Sequence, residues 1–174
     1  FEFPGLGMRT GYLMFHEVVI SIAENFPGVK SVKFWMTFGG AYLRHLNVLR
    51  NVGLTSTEPI DYNGQQVVPL QFLKAVLPEP ASLGPRYTGK TCIATILEGT
   101  KDGAEKKIII YNHCDHKEAY NEVGVQAISY TTGVPAVTAA QQVLEGGWNV
   151  SGVHCPETLD PDPFLEALAK NGLP

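Results

Sequence analysis

The chain has 174 residues and a mass of 19.0 kDa, with 44% hydrophobic and 17% charged residues, which suffices for one domain with its own core. A net charge of −4 argues against a nucleic-acid partner, and no apolar run approaches the roughly 18 residues of a membrane span. Three cysteines form no disulfide framework, and the start at Phe1 shows no signal-peptide pattern, so we expect a single cytoplasmic domain over residues 1–174.

The first half of the chain mixes one strand pattern with helical patterns. Residues 29–37 alternate between apolar and polar side chains, which predicts a half-buried strand. Residues 41–51 carry apolar side chains at helical spacing. Pro69 suits the first position of a second, short helix, whereas residues 77–85 lack any periodicity and predict a loop.

The second half predicts a hairpin followed by helices. Residues 91–97 and 107–111 are rich in β-branched side chains and flank a turn at Asp102-Gly103. An alanine and valine stripe predicts a helix from Pro135 to Gly146, and Asp162 is the predicted N-cap of the last helix. This order favours the α+β class, with a mixed β-sheet and helices packed mainly on one of its faces.

One stretch matches the phosphate-binding pattern G-x-x-x-x-G-K-T, from Gly84 to Thr91. Such a loop needs a buried strand before it and a helix N-terminus after it. Here prolines precede the loop and a β-rich segment follows it. We therefore interpret the match as a surface turn before the hairpin.

A polar cluster at the end of the hairpin includes His113, Cys114, Asp115 and His116. These side chains can ligate Zn²⁺, but neighbours on a strand point apart, so few of them could share one ion. A nucleophilic Cys114 assisted by His116 lacks an oxyanion-hole signature. A polar lining of a substrate pocket is favoured, because histidine can exchange a proton near neutral pH.

Two further stretches carry candidate binding groups. Hydroxyl side chains precede Gly133, where they could cap a helix or contact a ligand, and Gly133 itself allows close approach. Arg9 could hold a substrate carboxylate with its guanidinium fork, although an exposed arginine without a ligand is the commoner outcome.

Several segments together resemble the saccharopine dehydrogenase family, and most closely its carboxynorspermidine (carboxyspermidine) dehydrogenase branch. The resemblance extends, in order, over nearly the whole chain. The segments are RTGYLMFHE (9–17), WMTFG (35–39), NVGLT (51–55), PLQFLKAVLP (69–78), YNHCDH (111–116), QAISYTTGVPA (126–136) and DPDPF (160–164).

The resemblance implies that this chain is the second domain of a two-domain enzyme. The family's N-terminal Rossmann domain, with its glycine-rich fingerprint, is absent from this chain. The full-length enzyme would use NADP or NAD to reduce an imine to a C–N linked amino acid, and no cofactor is expected in this fragment alone. The fragment would be inactive, would take part in binding the small amine or amino-acid substrate, and would form a homodimer through strands such as those of Trp35 and Ile109.

The resemblance also suggests roles for individual residues. Arg9 would bind the substrate carboxylate, and Asp115 and Glu122 would bind ammonium groups. His116 would be the general acid, with His113 and Tyr130 as substitutes. Thr131, Thr132 and Gly133 would face the nicotinamide, and no metal is expected.

Two other functions stay open. The chain could be a stand-alone binding or dimerisation module that keeps the family's shape without the reaction. The cluster at residues 113–116 leaves a metal-dependent hydrolase as a less favoured reading.

Overall fold

The computed structural model describes residues 1–173, which fold into α-helices, two 3-10 helices and short strands. The strands are β1 (Glu2–Phe3), β2 (Gly7–Met8), β3 (Gly11–Met14), β4 (Phe34–Thr37), β5 (Ile60–Tyr62), β6 (Gln65–Val67), β7 (Lys90–Lys101) and β8 (Ala104–Asp115). The α-helices are α1 (Val18–Asn25), α2 (Gly40–Asn51), α3 (Pro69–Val76), α4 (His116–Val123), α5 (Ala127–Leu144) and α6 (Pro161–Lys170). The 3-10 helices are Pro80–Arg86 and Pro156–Thr158.

The α+β class is confirmed, whereas the predicted mixed sheet is wrong. Within residues 1–173 every strand pairs antiparallel with one other strand, giving four two-stranded sheets: β1–β2, β3–β4, β5–β6 and β7–β8. Three of these pairs are hairpins closed by short turns, so each ladder is local to its own segment. Helices α4 and α5 pack against the β7–β8 ribbon.

The β7–β8 ribbon is the longest ladder and confirms the predicted hairpin. Each strand has twelve residues, and the ladder runs from Lys101↔Ala104 at the turn to Lys90↔Asp115 at the far end. Asp102 and Gly103 have φ values of 56° and 80°, the left-handed pair that a two-residue hairpin turn requires. The strands extend beyond the predicted ranges because polar residues continue the backbone ladder.

The largest correction concerns α5. This helix begins at Ala127, eight residues before the predicted start, so Thr131, Thr132 and Gly133 lie inside it and Pro135 is an interior proline. A proline there removes one helical hydrogen bond. The helix persists because tertiary packing of its first turn, which includes the fully buried Ala127, contributes more than propensity.

The other predicted elements are present with changed limits. Helices α2 and α3 are confirmed, the latter with Pro69 at its first position. The predicted strand 29–37 is reduced to β4, because its partner β3 offers only four residues. Residues 77–85 are not a plain loop, since a 3-10 helix starts at Pro80, and α6 is capped by Asp160 rather than by Asp162.

The small core lies where the ribbon ends and α4, α5 and the C-terminal tail meet. Its buried members are Cys114, Ala119, Ala127, Tyr130 and Leu173. Most large apolar side chains outside this cluster are exposed, and the accessible surface of 13071 Å² far exceeds the about 8,400 Å² typical of a compact 19 kDa protein. Across the described residues, no helix is long and apolar enough to cross a membrane.

Candidate functional site

The sequence-predicted residues fall into two regions. Asp115, His116, Glu122 and Tyr130 lie around the small core, on α4, α5 and the end of β8. Arg9 lies on the N-terminal hairpin, residues 1–9, which includes β1 and β2. His113 on β8 connects the two regions, because Gly5, in the turn of the N-terminal hairpin, lies against the His113 ring.

His116 is buried, with 8% of its surface exposed, and it acts as a structural hydrogen-bond acceptor. Its Nδ1 atom accepts the backbone N–H of Ala127 at 3.2 Å, which satisfies one of the orphan donors at the start of α5. Its ring stacks on Tyr87 with a centroid distance of 5.3 Å. Since Nδ1 accepts in this bond, the neutral ring carries its proton on Nε2, and the ring can take up a second proton only by giving up the bond to Ala127.

Asp115 is the N-cap of α4. Its Oδ1 atom accepts the backbone N–H groups of Lys117 at 2.8 Å and Glu118 at 3.2 Å. The hydrogen bonds from Glu118 and Lys117 lower the pKa of the carboxyl group, so it stays ionised at neutral pH. This capping role occupies one carboxylate oxygen and leaves Oδ2 for a ligand.

Tyr130 and Glu122 form a pair across α5 and α4. The Tyr130 hydroxyl donates to Glu122 Oε1 at 3.2 Å, while its ring is buried in the core. Burial, and then the hydrogen bond to the glutamate, raise the pKa of Tyr130, which makes it a weaker acid than an exposed tyrosine. Glu122 is exposed and could still bind an ammonium group.

His113 differs from His116 because its Nε2 atom is buried and has no hydrogen-bond partner among the described residues. The ring lies beside Tyr111, with a centroid distance of 5.2 Å. Gly5, at a φ of 68°, faces the ring so closely that a Cβ there would lie 2.9 Å from His113 Cε1.

Arg9 is exposed and closes the base of the N-terminal hairpin. Its backbone N–H donates to the Phe1 carbonyl at 2.8 Å, and its Nη1 donates to the Met8 carbonyl at 2.9 Å. The remaining guanidinium donors are available for a carboxylate.

The predicted nicotinamide-facing residues occupy consecutive positions of α5. The hydroxyls of Thr131 and Thr132 both donate to the Ile128 carbonyl, at 3.3 and 2.8 Å, as hydroxyls inside helices commonly do. Gly133 is open, since a Cβ there would meet nothing within 4 Å.

A groove of about 340 Å³ runs along α5 and brings Tyr130 and Gly133 together. Four of its nine lining residues are valines, and two carry side-chain amides. The lining residues are Val123, Val125, Ser129, Tyr130, Gly133, Val134, Val137, Gln141 and Asn171.

Sequence reasoning missed the C-terminal side of this groove. Asn171 Nδ2 donates to Thr138 Oγ1 at 2.9 Å and to Gln141 Oε1 at 3.0 Å, linking the end of α6 to α5. Gly172, at a φ of 93°, lies against Tyr130, where a Cβ would approach the hydroxyl to 2.5 Å. The Asn-Gly pair after a helix was the available signal, since it is typical of a C-terminal cap.

The phosphate-loop match is confirmed as a coincidence of sequence. Its first residues, up to Arg86, belong to a 3-10 helix and its last two begin strand β7, so no helix of the described residues starts at the end of the loop. The two glycines have local structural reasons. A Cβ at Gly84 would lie 3.1 Å from the Tyr120 ring, and Gly89 has a φ of 97°, which side chains rarely allow.

The polar cluster at residues 113–116 is not arranged as a metal site or as a thiol nucleophile. In residues 1–173 no group of three or more His, Cys, Asp or Glu side chains could hold a metal ion. Cys114 is buried, and burial, followed by the negative charge of Asp115, raises the pKa of its thiol.

Comparison with known proteins gives a consistent result. The sequence profile of the saccharopine dehydrogenase C-terminal domain matches residues 1–173. The chain is 51% identical over 173 residues to carboxyaminopropylagmatine dehydrogenase of Synechocystis sp., covering 99% of this chain and 44% of that protein. It is 52% identical over 174 residues to carboxynorspermidine synthase of Vibrio alginolyticus, and 49% identical to that of Vibrio cholerae, each time covering 99% of this chain and 42% of the relative. The chain thus spans less than half the length of the curated relatives it matches.

Proposed function

Because the chain belongs to the saccharopine dehydrogenase C-terminal domain family, we propose that it is the substrate-binding domain of an NAD(P)-dependent imine reductase. The reaction would convert an imine into a C–N linked amino acid of the carboxynorspermidine type. One observation carries this proposal. About half of all residues, along the whole chain, are identical to those of relatives named carboxyaminopropylagmatine dehydrogenase and carboxynorspermidine synthase. Residues 1–174 would act as one domain of that longer enzyme.

The reaction sets three requirements for this domain. The substrate carboxylate needs a cation, its ammonium groups need acceptors, and the nitrogen of the reduced imine needs a proton. Arg9 supplies the cation, and Glu122 together with Asp115 Oδ2 supplies the acceptors. One of His116, His113 and Tyr130 supplies the proton.

A bound nicotinamide supplies the hydride that is added to the imine carbon. The open surface at Gly133 fits a flat ring, and the lone pairs left on the Thr132 hydroxyl oxygen can accept from a carboxamide. Residues 1–173 hold no strand–glycine-loop–helix unit for a pyrophosphate, so that part of the cofactor site would belong to the other domain.

The ribbon supports homodimer formation. Residues directly opposite in the ladder share a face, so Leu97 and Ile108 lie on one face while Ile96 and Ile109 lie on the other. Leu97 is 51% exposed and Ile109 is 43% exposed, so both faces present apolar surface. Exposed apolar faces of this extent are typical of interfaces, and a second copy would cover one of them.

The full-length enzyme and the isolated chain together test the proposed function. The full-length enzyme should oxidise NADPH or NADH only when both an aldehyde-bearing amino acid and a diamine are present. The isolated chain should show no such activity and no saturable micromolar NADPH binding by calorimetry, and light scattering should give a mass of twice 19.0 kDa. Cofactor oxidation that does not depend on the diamine would contradict the proposal.

The alternative, a stand-alone binding module, makes a different prediction. Such a module would bind an amine or amino acid with unchanged affinity whether or not a nucleotide domain is joined to it. A metal-dependent hydrolase would need a group of metal-binding side chains, and the described part of the chain contains no group of three or more His, Cys, Asp or Glu that could hold a metal ion.

A further inference from the structure

The groove along α5 includes the C-terminal end of α4 in its lining. Val123 and Val125, which flank the C-cap Gly124, form part of its wall, and on α5 it includes Tyr130 and, one turn later, Gly133. The two valines are 53% and 38% exposed, so they present apolar surface to an occupant of the groove. A wall of this kind favours a hydrocarbon chain over a polar group.

The groove carries negative charge where it meets α4, and no cation balances it. Glu122 lies in the last turn of α4, where the helix dipole disfavours a carboxylate and favours a cation. Helices α2, α3 and α6 each have a lysine or arginine in their last turn, whereas α4 has none. Among residues 1–173 Glu122 forms no ion pair with a lysine, arginine or histidine. An ammonium group bound here would therefore be stabilised by the carboxylate and by the helix dipole together.

Tyr130 fixes the position of this carboxylate. Its ring is buried, with 7% exposed, and its hydroxyl donates to Glu122 Oε1 at 3.2 Å. Gly172 lies against the same hydroxyl, where a Cβ would approach it to 2.5 Å, so the hydroxyl is confined on that side. The proton of the Tyr130 hydroxyl is thus committed to Glu122, whose second oxygen, Oε2, is left for a ligand.

We propose that the groove binds the carbon chain of a short alkane diamine, with one ammonium group on Glu122 and the reacting nitrogen at Gly133. Such a molecule is apolar between two positive ends, which matches a valine wall that ends at a carboxylate. Gly133 follows Tyr130 by three residues, a rise of about 4.5 Å along α5, which a few methylenes span. This inference rests on the proposed function and deepens it with the residues that select a diamine. Glu122 and the valines determine specificity, and Tyr130 is a positioning residue rather than the proton donor.

The ammonium site is tested by comparing two amines as substrates of the full-length enzyme. Diaminobutane and butylamine differ in the second amino group, so the ratio of their kcat/KM values reports the interaction of that group. Glu122→Gln should lower this ratio at least about tenfold and leave kcat/KM for butylamine near wild type. Glu118→Gln, which removes an exposed carboxylate one turn earlier on α4, is the matched control and should keep the wild-type ratio. An unchanged ratio in Glu122→Gln, or an equal loss in both variants, would overturn the site.

Tyr130→Phe separates positioning from proton transfer. Without the hydroxyl the Glu122 carboxylate is no longer held, so KM for diaminobutane should rise roughly fivefold while kcat and its pH profile stay near wild type. A fall in kcat on the order of 10²-fold would instead identify Tyr130 as the proton donor and overturn the positioning role.

The valine wall is tested by a change that keeps the volume of the side chain. Val123→Thr replaces a methyl group by a hydroxyl and should raise KM for diaminobutane and butylamine alike, roughly threefold, because both chains lose the same apolar contact. Val143→Thr, at a similarly exposed position of α5 outside the groove, should leave both KM values unchanged. Unchanged KM values in Val123→Thr would overturn the wall, and a lower mass in light scattering would then identify the groove as a contact between two copies of the chain.

Titration calorimetry separates this inference from the proposed function. Diaminobutane should bind the wild-type full-length protein and should bind Glu122→Gln at least about tenfold more weakly, whether or not an imine is reduced. A protein that binds the diamine in this way but reduces no imine would contradict the proposed function and leave the groove assignment standing. Imine reduction together with unchanged diamine binding in Glu122→Gln would overturn the groove assignment and leave the proposed function standing.

Discussion

Removing the hydrogen-bond acceptor of His116 should loosen the start of α5. His116→Phe keeps a ring to stack on Tyr87 but leaves the Ala127 N–H buried without a partner, which costs about 1–3 kcal/mol. With a urea dependence of about 2 kcal/mol per molar, a loss of about 2 kcal/mol lowers the unfolding midpoint by about 1 M. The assay is urea unfolding of the chain together with hydrogen exchange of the Ala127 amide.

The matched variant is His116→Asn, whose Oδ1 atom can occupy the position of the imidazole Nδ1. It loses the stacking on Tyr87, which contributes about 0.5–1.5 kcal/mol, but keeps the acceptor. Exchange at Ala127 should therefore accelerate in His116→Phe and stay close to wild type in His116→Asn. An Ala127 amide that exchanges equally fast in both variants would refute the capping role.

Three further predictions concern other parts of the site. Gly172→Ala should lower the free energy of unfolding by at least about 1 kcal/mol more than Gly89→Ala. Both glycines have φ above 90°, but only a Cβ at Gly172 would meet an obstacle, the Tyr130 hydroxyl. Thermal unfolding of the two variants checks this. Asp115 has a lowered pKa in the folded state, so its contribution to stability is present above about pH 4 and is lost as the pH falls through the folded-state pKa. Asp115→Asn lacks this titration and should therefore lose less stability than wild type between pH 5 and pH 2. Urea unfolding midpoints at the two pH values measure the difference. Arg9→Ala in the full-length enzyme should raise KM for the carboxylate substrate roughly tenfold, equivalent to about 1.4 kcal/mol, and an unchanged KM would exclude Arg9 from binding.

Local sequence signals predicted the parts of the fold that depend on local chemistry. The Asp102-Gly103 pair was sufficient to locate the ribbon, because few residue pairs adopt two successive positive φ values. Asp115 followed three residues later by Glu118 is typical of a helix start, and this signal was available for α4 although it was not used. The beginning of α5 could not be found in this way, since Pro135 and Gly133 argue against a helix and only packing in the core overrides them.

The site depends on contacts between distant residues, which no spacing rule encodes. His116 meets Ala127 eleven residues later, and His113 meets Gly5 from the far end of the chain. Both histidines lie in the stretch that the sequence identified, but their different surroundings arise from tertiary structure. For this reason the sequence could indicate a polar site at residues 113–116 and could not say which histidine is committed to a hydrogen bond.

The long β7–β8 ribbon has a consequence for biosynthesis. No other described strand pairs with its two outer edges, which leaves backbone groups open there. The run Ile108–Ile110 is the kind of apolar, strand-forming segment that templates aggregation in newly made chains. Charged side chains lie directly before this run, and Lys107 forms a 2.7 Å ion pair with Glu98 on the opposite strand. Such flanking charges act as gatekeepers, so neutralising Lys106 and Lys107 together should shift expression from the soluble fraction into inclusion bodies.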